Sequence, residues 1–386
     1  MTILKKCGLA AVTLALAGGS IAAEPVKIGM VTTLSTGAGY LGEDVRNGFE
    51  LAVSMAGKAD QIELLVEDDG RKPEQGLAIA ERMIERDGVK LMTGIIFSNV
   101  AMAVVPKIVR DGIVYVSPNA GPSQLAGKGC HPNYFNAAWQ NDNLHEAMGA
   151  YVKSEGYDKV YLLAPNYPAG QDALTGFKRF YDGGVAGEVY TQLGQTDYAA
   201  ELSSLRAAEP DAVFFFYPGG MGINFVKQAA QAGITSEIPF FGPAFSFDDN
   251  LVDAVGEAAL GIKNSAQWSP DLENQANQAF VTAYKDAYGK NPTLYSSQGF
   301  DTANLILAAL ETTDLSVEDT DALTAALTAA EFTAVRGDFA FGPNRHPIQD
   351  IYVREVVEDE DGTLTNRLVA KVFEDHADAY AGDCQP

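Results

Sequence analysis

Apolar residues along this chain switch repeatedly between two periods. A β-branched run over 26–33 is followed by Val45, Phe49, Ala52 and Val53, spaced by three and four as on one face of a helix. The exchange then recurs as strand 62–67, helix 74–87, strand 90–95, helix 100–110 and strand 113–117. After a loop over 118–132 it starts again: helix 143–155, strand 159–164, helix 171–182, strand 187–192, helix 198–208, strand 212–217, helix 221–232 and a short strand over 239–241. Strands alternating with helices of about 10 to 15 residues define βαβ units, and hence parallel sheets. From Leu272 the helical period dominates, over 277–288, 296–312 and 319–330. The tail reads as an antiparallel hairpin, 350–357 and 367–373, with Asp361-Gly362 in its turn. Two doubly wound halves followed by extra helices and a late hairpin predict lobes that the chain enters more than once.

The beginning of the chain departs from this alternation. Lys5 and Lys6 precede an apolar run over 9–17, and small residues from Gly18 to Ala23 lead to the charged Glu24. A basic region, a short apolar core and a small-residue cleavage site predict an export signal over 1–23. The run is too short to span a bilayer. Cys7 lies before it and so cannot be the lipidated cysteine that would follow one. The mature chain is expected to start near Glu24 and to work in the periplasm.

Length and charge narrow the picture further. A chain of 386 residues exceeds one ordinary core and suits two domains. Its formal charge is −24, and cleavage removes two lysines and no acid, so the mature chain is more negative still. Such a field repels nucleic acid and anionic lipid, and neither is an expected partner. Two cysteines remain, Cys130 and Cys384, in a compartment where disulfides persist. One bond between them is the simplest account; two unpaired thiols are the alternative.

Gly37-Ala38-Gly39-Tyr40-Leu41-Gly42 is a literal G-x-G-x-x-G between a strand and a helix, with Glu67 and Asp68 further on. In a dinucleotide site the first glycine closes the strand, so that the pyrophosphate meets the helix N-terminus. Here Thr32, Thr33, Leu34, Ser35 and Thr36 intervene. The segment reads instead as a hydroxyl-rich loop shaping a small-molecule cleft, and no cofactor is expected. Phe97-Ser98-Asn99 ends a strand and opens a helix, which offers a hydroxyl and backbone amides to a carboxylate. Either Ser98 or Asn99 could equally cap its own helix. A second polar turn, from Ser117 through Asn119, Ala120 and Gly121 to Ser123, lies at a strand's C-terminal end, where open α/β sheets bind ligands.

Catalytic constellations are missing. The four histidines, His131, His145, His346 and His376, have no metal spacing, and there is no C-x-x-C or G-x-S-x-G. No catalytic residue and no metal site is expected, and His145 reads as a surface or hinge residue. Asp68-Asp69 and Asp248-Asp249 read as helix starts or turns. Tyr40, Phe97, Trp139, Tyr167, Tyr217 and Phe245 fall at loop or strand-end positions, better suited to a cleft than to a core.

Together these features resemble the leucine/isoleucine/valine-type periplasmic binding proteins, the type I solute-binding components of ABC importers, from about Val26 to Phe373. The marks are Leu34-Ser35-Thr36-Gly37, Gly42, Gly48 with Leu51-Ala52, Glu67-Asp68-Asp69 with Pro73, Gly94 through Phe97-Ser98, Pro106, Ser117-Pro118, Phe135, Tyr167 with Gly170, and Asp211-Ala212-Val213. Their order and spacing carry the resemblance. It implies an α/β fold of two doubly wound lobes with parallel-sheet cores, joined by a three-segment hinge with crossings near Ala138, Ala266 and Pro343. Lobe 1 would comprise 24–138 plus 266–343, and lobe 2 139–265 plus 344–386. The resemblance also implies a ligand between closing lobes, its carboxylate held by Ser98 and the Asn119-Ala120-Gly121 segment, with Tyr167 and Tyr217 over it from the other lobe. Ser35, Tyr40, Phe97, Asn99, Trp139, Gly219, Pro243 and Phe245 complete the expected binding set.

One stretch departs from the amino-acid-binding pattern. Where relatives of this type place an Asp or Glu for the ligand ammonium, this chain reads Gly242-Pro243-Ala244-Phe245. A buried ammonium without an acidic partner is disfavoured, which points to an organic acid, aromatic for preference. The expected protein is a monomer that captures this acid and delivers it to an importer's permease subunits. An amino acid-binding protein, a ligand-sensing receptor module of the same fold, and an enzyme are the alternatives; neighbouring permease genes and turnover would discriminate them.

Overall fold

The computed structural model describes residues 24–360 and 362–385, so the export signal read over 1–23 and the turn residue Asp361 lie outside the described residues. The chain opens with β1 (Val26–Thr32), α1 (Gly39–Met55), β2 (Ile62–Asp68), α2 (Pro73–Glu85), β3 (Leu91–Thr93), α3 (Ser98–Arg110), β4 (Val114–Ser117), α4 (Ser123–Ala126) and β5 (Tyr134–Asn136). It continues as α5 (Asn143–Ser154), β6 (Lys159–Pro165), α6 (Pro168–Phe180), β7 (Gly184–Thr191), α7 (Ala199–Ala208), β8 (Ala212–Phe215), α8 (Gly220–Gln231), β9 (Phe240–Pro243), α9 (Asp249–Val255) and β10 (Lys263–Ala266). Three helices follow, α10 (Gln275–Tyr288), α11 (Leu294–Thr312) and α12 (Thr320–Ala329), and then β11 (Phe339–Phe341), β12 (Pro347–Glu358) and β13 (Leu364–His376).

These strands form two sheets. The first has the order β2-β1-β3-β4-β5 and is parallel throughout. The second runs β11-β12-β10-β9-β8-β6-β7, with β13 also on β12. Its β10-β9-β8-β6-β7 portion is parallel, and β12 adds antiparallel to β10. Helices cover both faces, so central strands are apolar on both sides. Along β8 and just beyond it, Ala212, Phe214 and Phe216 join one core while Val213, Phe215 and Tyr217 join another.

The late helices belong with the first sheet. Helix α11 lies so close on α1 that a Cβ at Gly48 would stand 2.0 Å from the Ser296 carbonyl oxygen, and one at Gly299 2.0 Å from that of Val45. Only glycine permits that approach. The chain therefore passes between the halves three times, over 137–142, 267–274 and 330–338. The third passage precedes Pro343, where the sequence reading set it, because Phe339–Phe341 already pairs with β12. Arg336 sits at this junction. Its Nε donates to Asp301 Oδ2 at 2.8 Å, and one terminal nitrogen donates to the Ala138 carbonyl at 3.0 Å and to Gln349 Oε1 at 3.1 Å. After β13 the tail leaves the second sheet for the loop after α4, where Cys384 is bonded to Cys130 with an S–S distance of 2.07 Å.

Candidate ligand-binding site

Two glycines of the G-x-G-x-x-G segment, Gly39 and Gly42, serve packing, whereas a Cβ at Gly37 would meet nothing within 4 Å. A Cβ at Gly42 would stand 2.1 Å from the Thr33 carbonyl oxygen, and one at Gly39 2.5 Å from that of Leu34, so the start of α1 lies directly on the loop leaving β1. The acidic pair at the end of β2 organises the same loop. Asp68 accepts from the Leu34 and Gly70 amides at 2.8 and 2.9 Å, and buried Asp69 accepts from Thr33 Oγ1 and the Arg71 amide, both at 2.7 Å. With Gly39, Gly42, Asp68 and Asp69 so committed, the segment supports the loop leaving β1.

Beyond the C-terminal ends of both sheets lies a partly open cavity walled by both halves. Leu41, Ile96, Phe97, Ser98, Asn119, Ala120 and Tyr295 come from the first; Trp139 and Asn141 come from the first passage; His145, Tyr167, Ala169, Phe216, Pro218 and Phe245 come from the second. No Asp, Glu, Lys or Arg is among them. Among the described residues no cluster of His, Cys, Asp or Glu could hold a metal ion.

One end of the wall suits an anion. Ser98 opens α3, whose first amides have no partner inside the helix. Phe97 precedes the helix and no side chain caps it, so Ser98 is free of the capping role. Its Oγ accepts from Asn141 Nδ2 at 3.1 Å, which leaves the hydroxyl hydrogen to be donated into the cavity. Asn141 is itself fixed: Nδ2 also donates to Asp172 Oδ2 at 2.9 Å, and Oδ1 accepts from the Gly121 amide at 3.1 Å. The Ala120 amide donates to the Ile95 carbonyl at 3.3 Å, so the amides of Ala120 and Gly121 are both engaged within the protein. Asn119 Nδ2 donates to the Ile96 carbonyl at 2.7 Å while its Oδ1 is buried without a partner.

The rest of the wall is aromatic. The Trp139 and Phe245 rings meet edge to face at 4.3 Å, Tyr167 stacks on Phe216 at 6.2 Å and lies 6.4 Å from Phe97. His145 stands between Phe214, Phe216 and Phe245. Burial pushes its pKa down to about 3, so the imidazole is neutral at physiological pH. Burial likewise raises the Tyr167 and Tyr295 hydroxyls above their ordinary value, keeping both as neutral donors.

Of the residues singled out from sequence, Phe97, Ser98, Asn119, Ala120, Trp139, Tyr167 and Phe245 line this cavity. Tyr217 does not. It is fully buried in the other core against Tyr198 and Phe225, and Phe216 occupies the wall in its place. Gly121 stands behind the wall on Asn141. Ser35 is exposed, and Asn99 is half-buried on α3. Pro243 pairs with Ser265 inside the second sheet. Gly219 faces Gly37 and Ala38 where the halves meet. Tyr40 is also between the halves, its hydroxyl donating to Asp248 Oδ2 at 3.3 Å. Beside that contact Asn250 Nδ2 donates to Asp44 Oδ2 at 2.9 Å, and at the far side Ser123 donates through its amide and hydroxyl to Asp172 at 3.0 and 2.7 Å. Burial and the Asp44 charge push Asp248 up to about 8. His145, read from sequence as a surface or hinge residue, is 1% exposed.

A fold of two doubly wound sheets, three passages and a cleft between them is shared with known proteins. The family model described as periplasmic binding protein matches residues 25–363, and the chain belongs to that family. Its fold is the type I arrangement of that family. A solute-binding protein of an ABC transporter from R. palustris, solved in complex with benzoate, is 29% identical with a TM-score of 0.88, over 94% of this chain and 100% of that one. Another from Rhodopseudomonas palustris BisB5, in complex with 3,4-dihydroxybenzoic acid, is 29% identical with a TM-score of 0.87, over 92% and 99%. The Leu/Ile/Val-binding protein homolog 6 of Brucella melitensis is 26% identical over 97% of this chain and 98% of its own.

Proposed function

We propose that the chain is the extracytoplasmic capture component of an ABC importer and that its solute is a small aromatic carboxylate. The observation that carries this reading is a cavity faced by Phe97, Trp139, Tyr167, Phe216 and Phe245 whose wall holds no carboxylate. An α-amino acid would bury its ammonium there without an acidic partner, at a cost that such sites avoid. A benzoate-like anion needs only what is present. Ser98 and the N-terminus of α3 supply neutral donors, each hydrogen bond to a charged group being worth about 1.5–3 kcal/mol. The aromatic wall supplies the ring contacts. The benzoate and dihydroxybenzoate complexes of the R. palustris proteins support the same class. Export through residues 1–23 and delivery to a membrane permease complete the reading.

A thermal-shift screen tests it, after any carried-over ligand is removed by unfolding and refolding. An acid at about 100 times its Kd stabilises the protein by about 2.7 kcal/mol. Benzoate- and cinnamate-like acids are expected to raise Tm, while leucine, isoleucine, valine and phenylalanine leave it unchanged. The Brucella relative's name makes the opposite outcome concrete. Shifts with the branched-chain amino acids alone would overturn the aromatic reading and leave an amino acid-binding protein.

A further inference from the structure

His145 is a polar side chain of the cavity wall to which the described residues give no hydrogen bond at either ring nitrogen. It lies in the first turn of α5, 1% exposed, with ring centroids of Phe216 at 5.2 Å, Phe214 at 5.7 Å and Phe245 at 6.1 Å. Its Nδ1 is buried without a hydrogen bond. The described residues contribute none to Nε2 either, and the side chain faces the cavity. A buried imidazole left unsatisfied costs stability that a leucine or phenylalanine filling the same space would not. The cavity is the side from which a partner would reach it.

The position of the ring says which part of the ligand that is. His145 belongs to the wall built by the second half, packed on the rings at the ends of β8 and β9, whereas Ser98 and its donors belong to the first. A carboxylate held at Ser98 sends the far edge of its ring toward the second wall. A neutral imidazole has one donor and one acceptor nitrogen and suits an uncharged group able to do either. A hydroxyl is such a group; a methyl is not, and a second carboxylate would demand a protonated ring that this apolar setting disfavours. We propose that His145 pairs with a hydroxyl group on the ligand's ring, so that the chain selects hydroxylated aromatic acids over their unsubstituted parents. The proposal rests on the aromatic-carboxylate reading above.

Calorimetry on the stripped full-length mature protein tests it with benzoate against 3- and 4-hydroxybenzoate, and cinnamate against 4-hydroxycinnamate. The wild type is expected to bind a hydroxylated member at least about tenfold tighter than its parent. In His145→Phe that ratio falls toward one, whatever happens to the absolute affinities, and His145→Gln, which keeps a donor and an acceptor, retains part of it. Equal affinities across every pair in the wild type, or an undiminished ratio in His145→Phe, would overturn the proposal. If no aromatic acid binds the wild type at all, the underlying reading fails before any variant is made, and this one with it. A second measurement needs no variant: in protein carrying ¹⁵N-labelled histidine, one of the four imidazoles should shift on adding the preferred hydroxylated acid and not on adding its parent. Equal shifts with both acids would overturn the proposal.

Discussion

Replacing Ser98 by alanine separates the anion contact from everything else at the site. The hydroxyl accepts one hydrogen bond, from Asn141 Nδ2, and caps no helix. Without it Asn141 keeps its bonds to Asp172 and to the Gly121 amide, so its side chain stays where it is. The stability cost should therefore be about 1 kcal/mol, the value of one hydrogen bond between neutral groups. Binding should suffer more. A hydrogen bond to a charged carboxylate is worth about 1.5–3 kcal/mol, so Kd for benzoate should rise about 10- to 150-fold. Benzamide, with a neutral carbonyl, should lose less. Calorimetry with both compounds, beside a ligand-free melting curve, gives the comparison. A benzoate Kd within about threefold of wild type would refute the reasoning, and so would equal losses for acid and amide.

Other expectations follow from the same geometry. Phe216→Leu should weaken aromatic-acid binding by about tenfold, whereas Tyr217→Phe, in the other core, should stay within about twofold; the reverse order in a titration would contradict the wall described here. Arg336→Ala leaves Asp301 buried with the Val335 amide but without its charged partner and should cost about 3–5 kcal/mol in urea unfolding. Asp248 is raised to about 8, and it faces Tyr40, Asp44 and Asp249. Between about pH 4 and 8 the folded state keeps a proton the unfolded chain has lost, so stability falls as pH rises, by at most about 1.4 kcal/mol per unit for this group. Asp248→Asn should flatten part of that slope in denaturation midpoints at pH 5, 6.5 and 8, and an unchanged slope would exclude Asp248 as its source. Cys384→Ser opens a bond closing 254 residues of chain and should cost at most about 5 kcal/mol. Intact mass after alkylation without reduction should find neither Cys130 nor Cys384 modified in the mature wild-type protein.

The alternation of strand and helix was readable where an element is apolar after its first residue, as β6 is, or buries one face, as α3 does. Strand β10 was not, since its Asn264 and Ser265 are buried polar residues. Asn264 donates to Asn366 Oδ1 at 2.7 Å and accepts from Arg354 at 2.7 and 3.0 Å, partners about 90 and 102 residues away that no local pattern announces. The exchange of Phe216 for Tyr217 has a related cause. Residues 212–217 are apolar or aromatic throughout, both faces of the sheet are covered, and nothing local says which parity meets the cleft. Asn141 stands just before the start of the helix read over 143–155, and only folding brings it onto Ser98, 43 residues earlier. For His145 the available signal was its place on the helix following that start, and sequence could not give its depth.

The disulfide lies at a telling place. Cys130 and Cys384 share the wall of a surface hollow with Pro343, Asn344 and Arg345, and Asn344 Nδ2 donates both to the Ala126 carbonyl at 2.9 Å and to Asp378 Oδ2 at 2.8 Å. The bond thus sits beside the return of the chain to β12, away from the residues that meet across the cleft at Tyr40 and Asp248. It ties the end of the chain, after its last strand in the second sheet, to a loop of the first half, like a staple holding the last page of a book to its front cover. Where thiols oxidise that link is covalent; in a reducing compartment the same join would rest on Asn344 and its two hydrogen bonds.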